Sequence, residues 1–165
     1  MKKLIYLLLV LPVLLVSCHD DNDLPDVSVG VEYENGTPVN NKVYVVKGSN
    51  LAVKSVGVVS NVKDRSAGVF GGVAYTFCGI PVMFGTDVYG NPVYVNYVAP
   101  FGVSFYTEDL EPGDYYYTME FGVAQEGCEL ATVFANVPVV VVASVEDIPA
   151  STGDSSKAMI DFKFK

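Results

Sequence analysis

Residues 110–123 read LEPGDYYYTMEFGV, a Pro-Gly turn followed by a run with the period of a β-strand. Side chains two residues apart share one face of a strand, and the more apolar face belongs in the core. The predicted core-facing set is therefore Tyr115, Tyr117, Met119 and Phe121. The same parity turns Tyr116, Thr118 and Glu120 outward, so we expect Tyr115 to be buried and Tyr116 to be exposed. In a second strand it turns Val73, Tyr75 and Phe77 inward and Thr76 outward.

The rest of the chain reads as one short strand after another, rich in valine and tyrosine and broken by Gly, Pro, Asn and Asp. The predicted strands cover residues 27–33, 43–46, 51–59, 69–78, 82–84, 93–98, 103–107, 115–123, 129–134 and 139–143. Residues 60–68 are predicted as a loop. No segment keeps a helical period for three turns, so the chain is predicted to be all-β, as a sandwich or barrel.

Three pieces of sequence resemble immunoglobulin-like (fibronectin/PKD-like) domains. Leu110–Tyr115 resembles the tyrosine corner before strand F. Tyr75–Gly79 and Ala99–Val103 are similar to a strand C hairpin and the start of strand E in modules of Bacteroidota surface lipoproteins, which often have aspartate where this chain has Cys78. The resemblance implies a single Ig-like antiparallel β-sandwich over residues 27–143, in which Tyr115 hydrogen-bonds to the preceding connection.

The N-terminus carries an export pattern. Lys2 and Lys3 precede an uncharged run, residues 4–16, which is followed by Ser17 and Cys18 and is shorter than the roughly 20 residues that a membrane span needs. It resembles the type II signal peptide of bacterial lipoproteins. The resemblance implies that residues 1–17 are removed and that Cys18 is the lipid attachment site, which makes the membrane a partner. The alternative is an uncleaved signal or a transmembrane anchor.

Residues 18–26 are predicted to form an acidic tether. Asp20, Asp21 and Asp23 follow the cysteine directly and resemble the signal that sends Bacteroidota lipoproteins to the cell surface of the outer membrane. A periplasmic location is the alternative. A calcium site is disfavoured because one short segment supplies too few of the six to eight oxygens that calcium takes.

Composition and charge exclude several functions. The chain has a net charge of −9, and removal of residues 1–17 would leave 8 basic and 19 acidic side chains, a net charge of −11. Such a surface repels nucleic acid, which is excluded as a partner. The only histidine is His19, so the domain lacks a base for serine or cysteine nucleophiles and lacks zinc ligands. We predict no cofactor and no enzymatic activity. Glu108, Asp109, Glu111 and Asp114 are interpreted as a solvated acidic turn rather than a glycosidase pair.

Five polar or aromatic side chains are candidates for a recognition patch: Thr76, Tyr94, Asn96, Tyr116 and Thr118. The alternative is that they form ordinary cross-strand pairs. A surface-exposed binding or adhesion module for a glycan or protein ligand is therefore one hypothesis, and the lack of tryptophan weakens its carbohydrate version. The other hypothesis is a structural or accessory subunit of a fimbria-like assembly that acts through edge strands. The sequence does not predict the oligomeric state.

The last 22 residues, 144–165, are predicted as a polar linker and a C-terminal strand that starts near Met159. This strand is expected to pack on its own sandwich, with donation to a partner as the alternative. Cys78 and Cys128 are predicted not to form a disulfide. An Ig-like layout puts their hairpins at opposite ends of the sandwich, about 20 Å apart.

Overall fold

The computed structural model describes residues 27–60, 67–125, 131–150 and 156–164, and most of these residues are in strands. The strands are β1 (Val27–Glu34), β2 (Thr37–Val39), β3 (Lys42–Val46), β4 (Leu51–Ser60), β5 (Ala67–Phe77), β6 (Ile80–Pro81), β7 (Gly85–Thr86), β8 (Pro92–Val93), β9 (Val95–Asn96), β10 (Gly102–Phe105), β11 (Gly113–Gln125), β12 (Ala131–Val142) and β13 (Lys157–Phe164). A 3₁₀ turn covers Val145–Asp147. The all-β prediction is confirmed.

Two layers face each other across the core. One has the order β10-β4-β1-β13, and the other has the order β12-β11-β5-β6. Apart from β3, which runs parallel to β12, all these pairings are antiparallel. β1, β4 and β10 thus belong to one layer, and β5, β11 and β12 belong to the other. The predicted β-sandwich is therefore the observed architecture.

The C-terminal strand closes one side of this sandwich. β13 pairs with β1 over six residues, from Val27 opposite Phe162 to Glu32 opposite Lys157. It also reaches β12, where Val133 lies opposite Phe164 and Phe134 opposite Lys163. The two layers thus form one continuous sheet that curls around its apolar face. Within this single chain, β13 therefore pairs with strands of its own sandwich.

The core follows the predicted strand parity. Tyr117, Met119 and Phe121 of β11 are buried, and so are Val73 and Tyr75 of β5. Aromatic rings from both layers meet there: Phe105 lies 5.1 Å from Tyr117, and Phe121 lies 4.8 Å from Phe162, between ring centroids. These contacts add edge and offset ring geometry to the area that burial removes from water.

Tyr115 differs in part from its prediction. Its hydroxyl donates to the carbonyl of Glu111 at 3.0 Å, which confirms the expected hydrogen bond to the preceding connection. Its side chain is only half-buried, however, because it lies near the start of β11, where its ring stacks on Phe77 at the margin of the core. The prediction of full burial was wrong.

Three tyrosine hydroxyls lie inside the sandwich and are paired there. The hydroxyls of Tyr33 and Tyr117 are 2.8 Å apart, and that of Tyr75 donates to the carbonyl of Phe101 at 2.7 Å. Burial raises the pKa of Tyr33 and of Tyr75 to about 12, and it raises the pKa of Tyr117 well above its usual value. All three hydroxyls therefore stay neutral at physiological pH and tie the two layers together.

Several strand boundaries differ from the sequence prediction. Residues 129–134 and 139–143 were predicted as two strands, but β12 runs unbroken from 131 to 142 through Pro138. Proline is tolerated there because it is exposed and because, on the edge of β12 away from β11, no described strand pairs with it. The predicted strand at 82–84 is a connection between β6 and β7, and the predicted strand at 93–98 is divided between β8 and β9.

Candidate functional site

Exposed apolar side chains are concentrated in residues 80–106, called here the 80–106 segment. Among the described residues, eight of the eleven exposed large hydrophobic side chains belong to it: Ile80, Met83, Val88, Tyr89, Tyr94, Tyr97, Val98 and Tyr106. Asp87 is the only charged residue of the segment, although 18% of the whole chain is charged. Exposed apolar side chains that cluster on a folded domain mark interaction surfaces.

The fold places this segment along one edge of the sandwich. β5 ends at Phe77, and Cys78 and Gly79, both at positive φ, reverse the chain into β6. Positive φ at both central residues is the conformation of a two-residue type I′ hairpin. The chain then forms the β7–β8 hairpin, returns to pair β9 with β5, and crosses to β10 in the other layer. The segment therefore spans both layers on the side opposite β13.

Side chains on the inner side of the segment fix it to the core. Phe84 packs against the core, with its ring centroid 6.1 Å from that of Tyr75. The Asn96 side chain donates to the carbonyl of Gly102 at 2.9 Å and accepts from the amide of Val98 at 2.9 Å. The exposed side chains of the segment therefore project from a backbone that is attached at several points.

The tip of the β7–β8 hairpin is held by a single carboxylate. Asp87 accepts hydrogen bonds from the amides of Tyr89 and Asn91, each at 2.8 Å, and from the Asn91 side chain at 3.0 Å. The hydrogen bonds from Asn91, above all from its side chain, lower the pKa of Asp87, so the carboxylate stays charged and keeps these bonds. Val88 and Tyr89 lie between Asp87 and Asn91 in the chain and are 93% and 87% exposed. The tip thus presents two apolar side chains on an ordered turn.

The five predicted site residues do not form one patch. Thr76 and Thr118 lie directly opposite each other on the outer face of β5 and β11, and Thr118 donates to the Asn136 side chain at 2.6 Å. Tyr116 is on the same face, opposite Pro138, and is 43% exposed. These contacts are those of cross-strand pairs.

The other two predicted residues lie elsewhere. Asn96 is opposite Val73, a core-facing residue, so it belongs to the inner side of its sheet, and its amide is occupied by Gly102 and Val98. Tyr94 lies between β8 and β9 and is 45% exposed, within the 80–106 segment. Asn96 and Tyr94 therefore lie apart from Thr76 and Thr118.

Sequence reasoning missed most of the exposed side chains, including Val88, Tyr89, Tyr97, Val98 and Tyr106. One signal was present: 27 consecutive residues contain a single charge in a chain that carries 29. The low number of charges did not indicate a surface, because an apolar run with strand periodicity is ordinarily assigned to the core.

The acidic turn before β11 has structural partners. Glu111 forms an ion pair with Lys47 at 2.6 Å, and Glu108 accepts from the Asn50 side chain at 3.3 Å. Within the described part of the chain, no group of three or more His, Cys, Asp or Glu side chains is placed to hold a metal ion. No helix within the same ranges is long and apolar enough to cross a membrane.

Of the three cysteines, only Cys78 lies among the described residues. Cys78 is exposed and free. Cys18, His19 and Cys128 lie outside the described residues, together with the predicted signal peptide and acidic tether.

No protein-family model, no curated protein and no solved structure matches this chain.

Proposed function

We propose that this chain is a non-enzymatic binding or adhesion module that contacts a protein ligand through the 80–106 segment. The observation that carries the proposal is the collection of eight exposed apolar side chains on a segment with one charge. The cores of protein interfaces are enriched in tyrosine and methionine and depleted of charged residues. Val88 and Tyr89 suit the central anchor of such an interface, because a preordered tip loses little conformational entropy on binding.

A protein ligand accounts for this surface better than a glycan does. Four tyrosines of the segment offer rings that sugars could stack on, but they alternate with Val, Met and Ile side chains that carry no hydrogen-bonding groups. The chain also has no tryptophan, the ring that stacks best on sugars. Glycan binding is therefore tested beside protein binding.

The N-terminal sequence supports the proposed location. The pattern that ends at Cys18, followed by the acidic residues of 18–26, supports a lipid-anchored protein of the Bacteroidota surface type, displayed on the outer membrane. The strong negative charge of the rest of the chain would keep the domain away from anionic head groups and leave the 80–106 segment accessible.

The binding role is tested with residues 18–165 immobilised against a panel of host matrix proteins and a glycan array. The double variant V88S/Y89S should weaken binding to any protein ligand found at least tenfold. Val145→Ser, a 66% exposed valine outside the segment, is the matched control and should bind like the parent. The proposal fails if the double variant binds as tightly as the parent, if only glycans bind, or if no panel member binds.

The anchor is tested in cells. Cys18→Ala should abolish incorporation of labelled fatty acid and leave the protein unprocessed or released, and external protease should digest the parent on intact cells. Continued labelling of the variant contradicts the anchor, and protection of the parent from protease contradicts surface display.

One observation favours the second candidate function, a structural or accessory subunit of a fimbria-like assembly. β10 ends its layer, and no strand within the described ranges pairs with its outer side. An unpaired edge is a template for another chain. Light scattering on purified residues 18–165 separates the two roles, since a binding module should remain small and of fixed mass, whereas a subunit should polymerise with rising concentration.

A further inference from the structure

A cleft of about 530 Å³ opens on the side of the sandwich opposite the 80–106 segment. Its origin lies in the pairing of β12. That strand pairs with β13 at residues 133–134 and with β3 only from residue 139 onward. Between these points no described strand pairs with the edge of β12 that faces away from β11, which leaves a gap between β13 and the β2–β3 hairpin. Residues 157–161 form one wall, residues 38–43 form the other, and residues 136–138 lie at the base.

The cleft lies over the margin of the core. Tyr33, Val39, Val43, Val137 and Ile160 line it, and all five are nearly buried, so little of their surface is open to the cleft. Two apolar side chains that are more exposed, Pro138 and Met159, also line it. A volume of this size lies within the range of small-molecule sites.

The rim is polar and carries charges of both signs. It has the side chains of Asn40, Asn41 and Asn136 together with Lys42, Lys157 and Asp161. Glu32 pairs with Lys157, so two lysines are matched there by two carboxylates. An exposed ammonium without a carboxylate partner attracts anions locally.

The charged side chains of the rim differ in whether they already have a partner within the protein. Asp161 accepts from the Ser28 hydroxyl at 2.8 Å, and Lys157 is paired with Glu32 at 3.4 Å. Lys42 is exposed and has no ion-pair partner among the described residues. It directly follows Asn40 and Asn41, whose positive φ angles fix the two-residue turn between β2 and β3. An ammonium without an ion-pair partner and two asparagines therefore lie at the mouth of the cleft.

We propose that this cleft binds an anionic amphiphile, specifically a carboxylate attached to an apolar chain of the fatty-acid type. The chain lies on the apolar lining, where burial removes hydrocarbon from water. The carboxylate stays at the rim, where the Lys42 ammonium and the asparagine amides replace its water ligands. This site is separate from the 80–106 segment and does not depend on the binding role proposed for it.

Decanoate, below its micellar concentration, is the probe for the test. Titration into labelled residues 18–165 should shift the methyl resonances of Val39, Val43, Val137 and Ile160 saturably. Decanol should bind at least tenfold more weakly, and decyltrimethylammonium should not bind at the cleft.

Lys42→Glu should weaken decanoate binding at least tenfold. Lys54→Glu makes the same change in net charge at an exposed lysine outside the cleft and should leave binding within twofold of the parent. Both positions are exposed on strands, so the folds can be compared by circular dichroism. Equal loss in the two variants, equal binding of decanol and decanoate, shifts confined to the 80–106 segment, or no saturable shift overturns the proposal.

Discussion

At the scale of single residues, the polar atoms inside the core decide how sensitive the fold is. Tyr33 and Tyr117 come from opposite layers, and each hydroxyl is the other's partner in a site that excludes water. A buried hydroxyl without a partner costs more than the hydrogen bond contributes when it is made. The pair therefore favours the alignment of the two layers in which both hydroxyls are hydrogen-bonded.

Tyr117→Phe should lower the free energy of unfolding by about 1 to 3 kcal/mol, because it leaves the Tyr33 hydroxyl buried without its partner. Tyr116→Phe removes a hydroxyl from an exposed ring and should change stability by less than about 0.5 kcal/mol. Urea titrations of both variants measure the difference. Equal effects would show that the Tyr33–Tyr117 hydrogen bond contributes nothing.

Cys78 occupies a backbone conformation that suits other residues better. Its φ of 49° lies in the left-handed region, at the first central position of a two-residue hairpin. Asparagine is the preferred residue there, because its short polar side chain tolerates this region. Cys78→Asn should raise the melting temperature, with a gain of about 0.5 to 1 kcal/mol. Cys78→Val should lower it, and a valine variant as stable as the parent would contradict the strained turn.

At the scale of elements, β13 decides whether the sandwich is closed. Its inward side chains Ile160 and Phe162 are buried, while Met159, Asp161 and Lys163 face solvent. Phe162 contacts Phe121 of the other layer, so the strand supplies part of the core as well as hydrogen bonds to β1. The C-terminal strand is therefore a part of the domain and not an appendage.

Phe162→Ala should cost about 3 to 5 kcal/mol, the usual range for a phenylalanine lost from a core. Met159→Ala, on the exposed face of the same strand, should cost less than about 1 kcal/mol. Denaturant midpoints measure both, and they should not depend on protein concentration. A midpoint that rises with concentration would show that β13 is supplied by a second copy.

At the scale of the whole molecule, the buried tyrosines predict an alkaline limit to stability. Burial raises the pKa of Tyr33 and Tyr75 to about 12 from an unfolded value near 10. Above pH 10 the unfolded chain releases these protons while the folded chain keeps them, so unfolding becomes progressively easier up to about pH 12. Below pH 10 both states hold the protons, and this contribution is fully present.

The protein should therefore lose several kcal/mol of stability between pH 10 and pH 12, at about 1.4 kcal/mol for each unit of pKa shift. Absorbance at 295 nm should show exposed tyrosines ionising first, near pH 10, and a second group ionising together with the loss of circular dichroism. A single ionisation near pH 10 with the fold intact would contradict the buried hydroxyl network.

The sequence by itself determined the class of fold and the inner face of its main strands. Alternation with a period of two is a local property of the backbone, so it identified Tyr117, Met119 and Phe121 as core residues without knowledge of their neighbours. The hydrogen bond of Tyr115 to the preceding connection was expected from the resemblance of Leu110–Tyr115 to a tyrosine corner, and its partner Glu111 is only four residues away. Boundaries were less certain where a connection is apolar, as at residues 82–84, or where proline lies in a strand, as at Pro138.

Only the tertiary structure decided which strands are neighbours, and the surfaces follow from that. Asn96 turned inward because its partner is Val73, a pairing between residues 23 positions apart that no local pattern encodes. The 80–106 segment became an exposed edge because β5 and β10 belong to different layers. The cleft exists because β13 and β3 share one edge of β12 without meeting. Strand pairing is set by the packing of the whole core, so the position of a strand can be known only when all the others are placed.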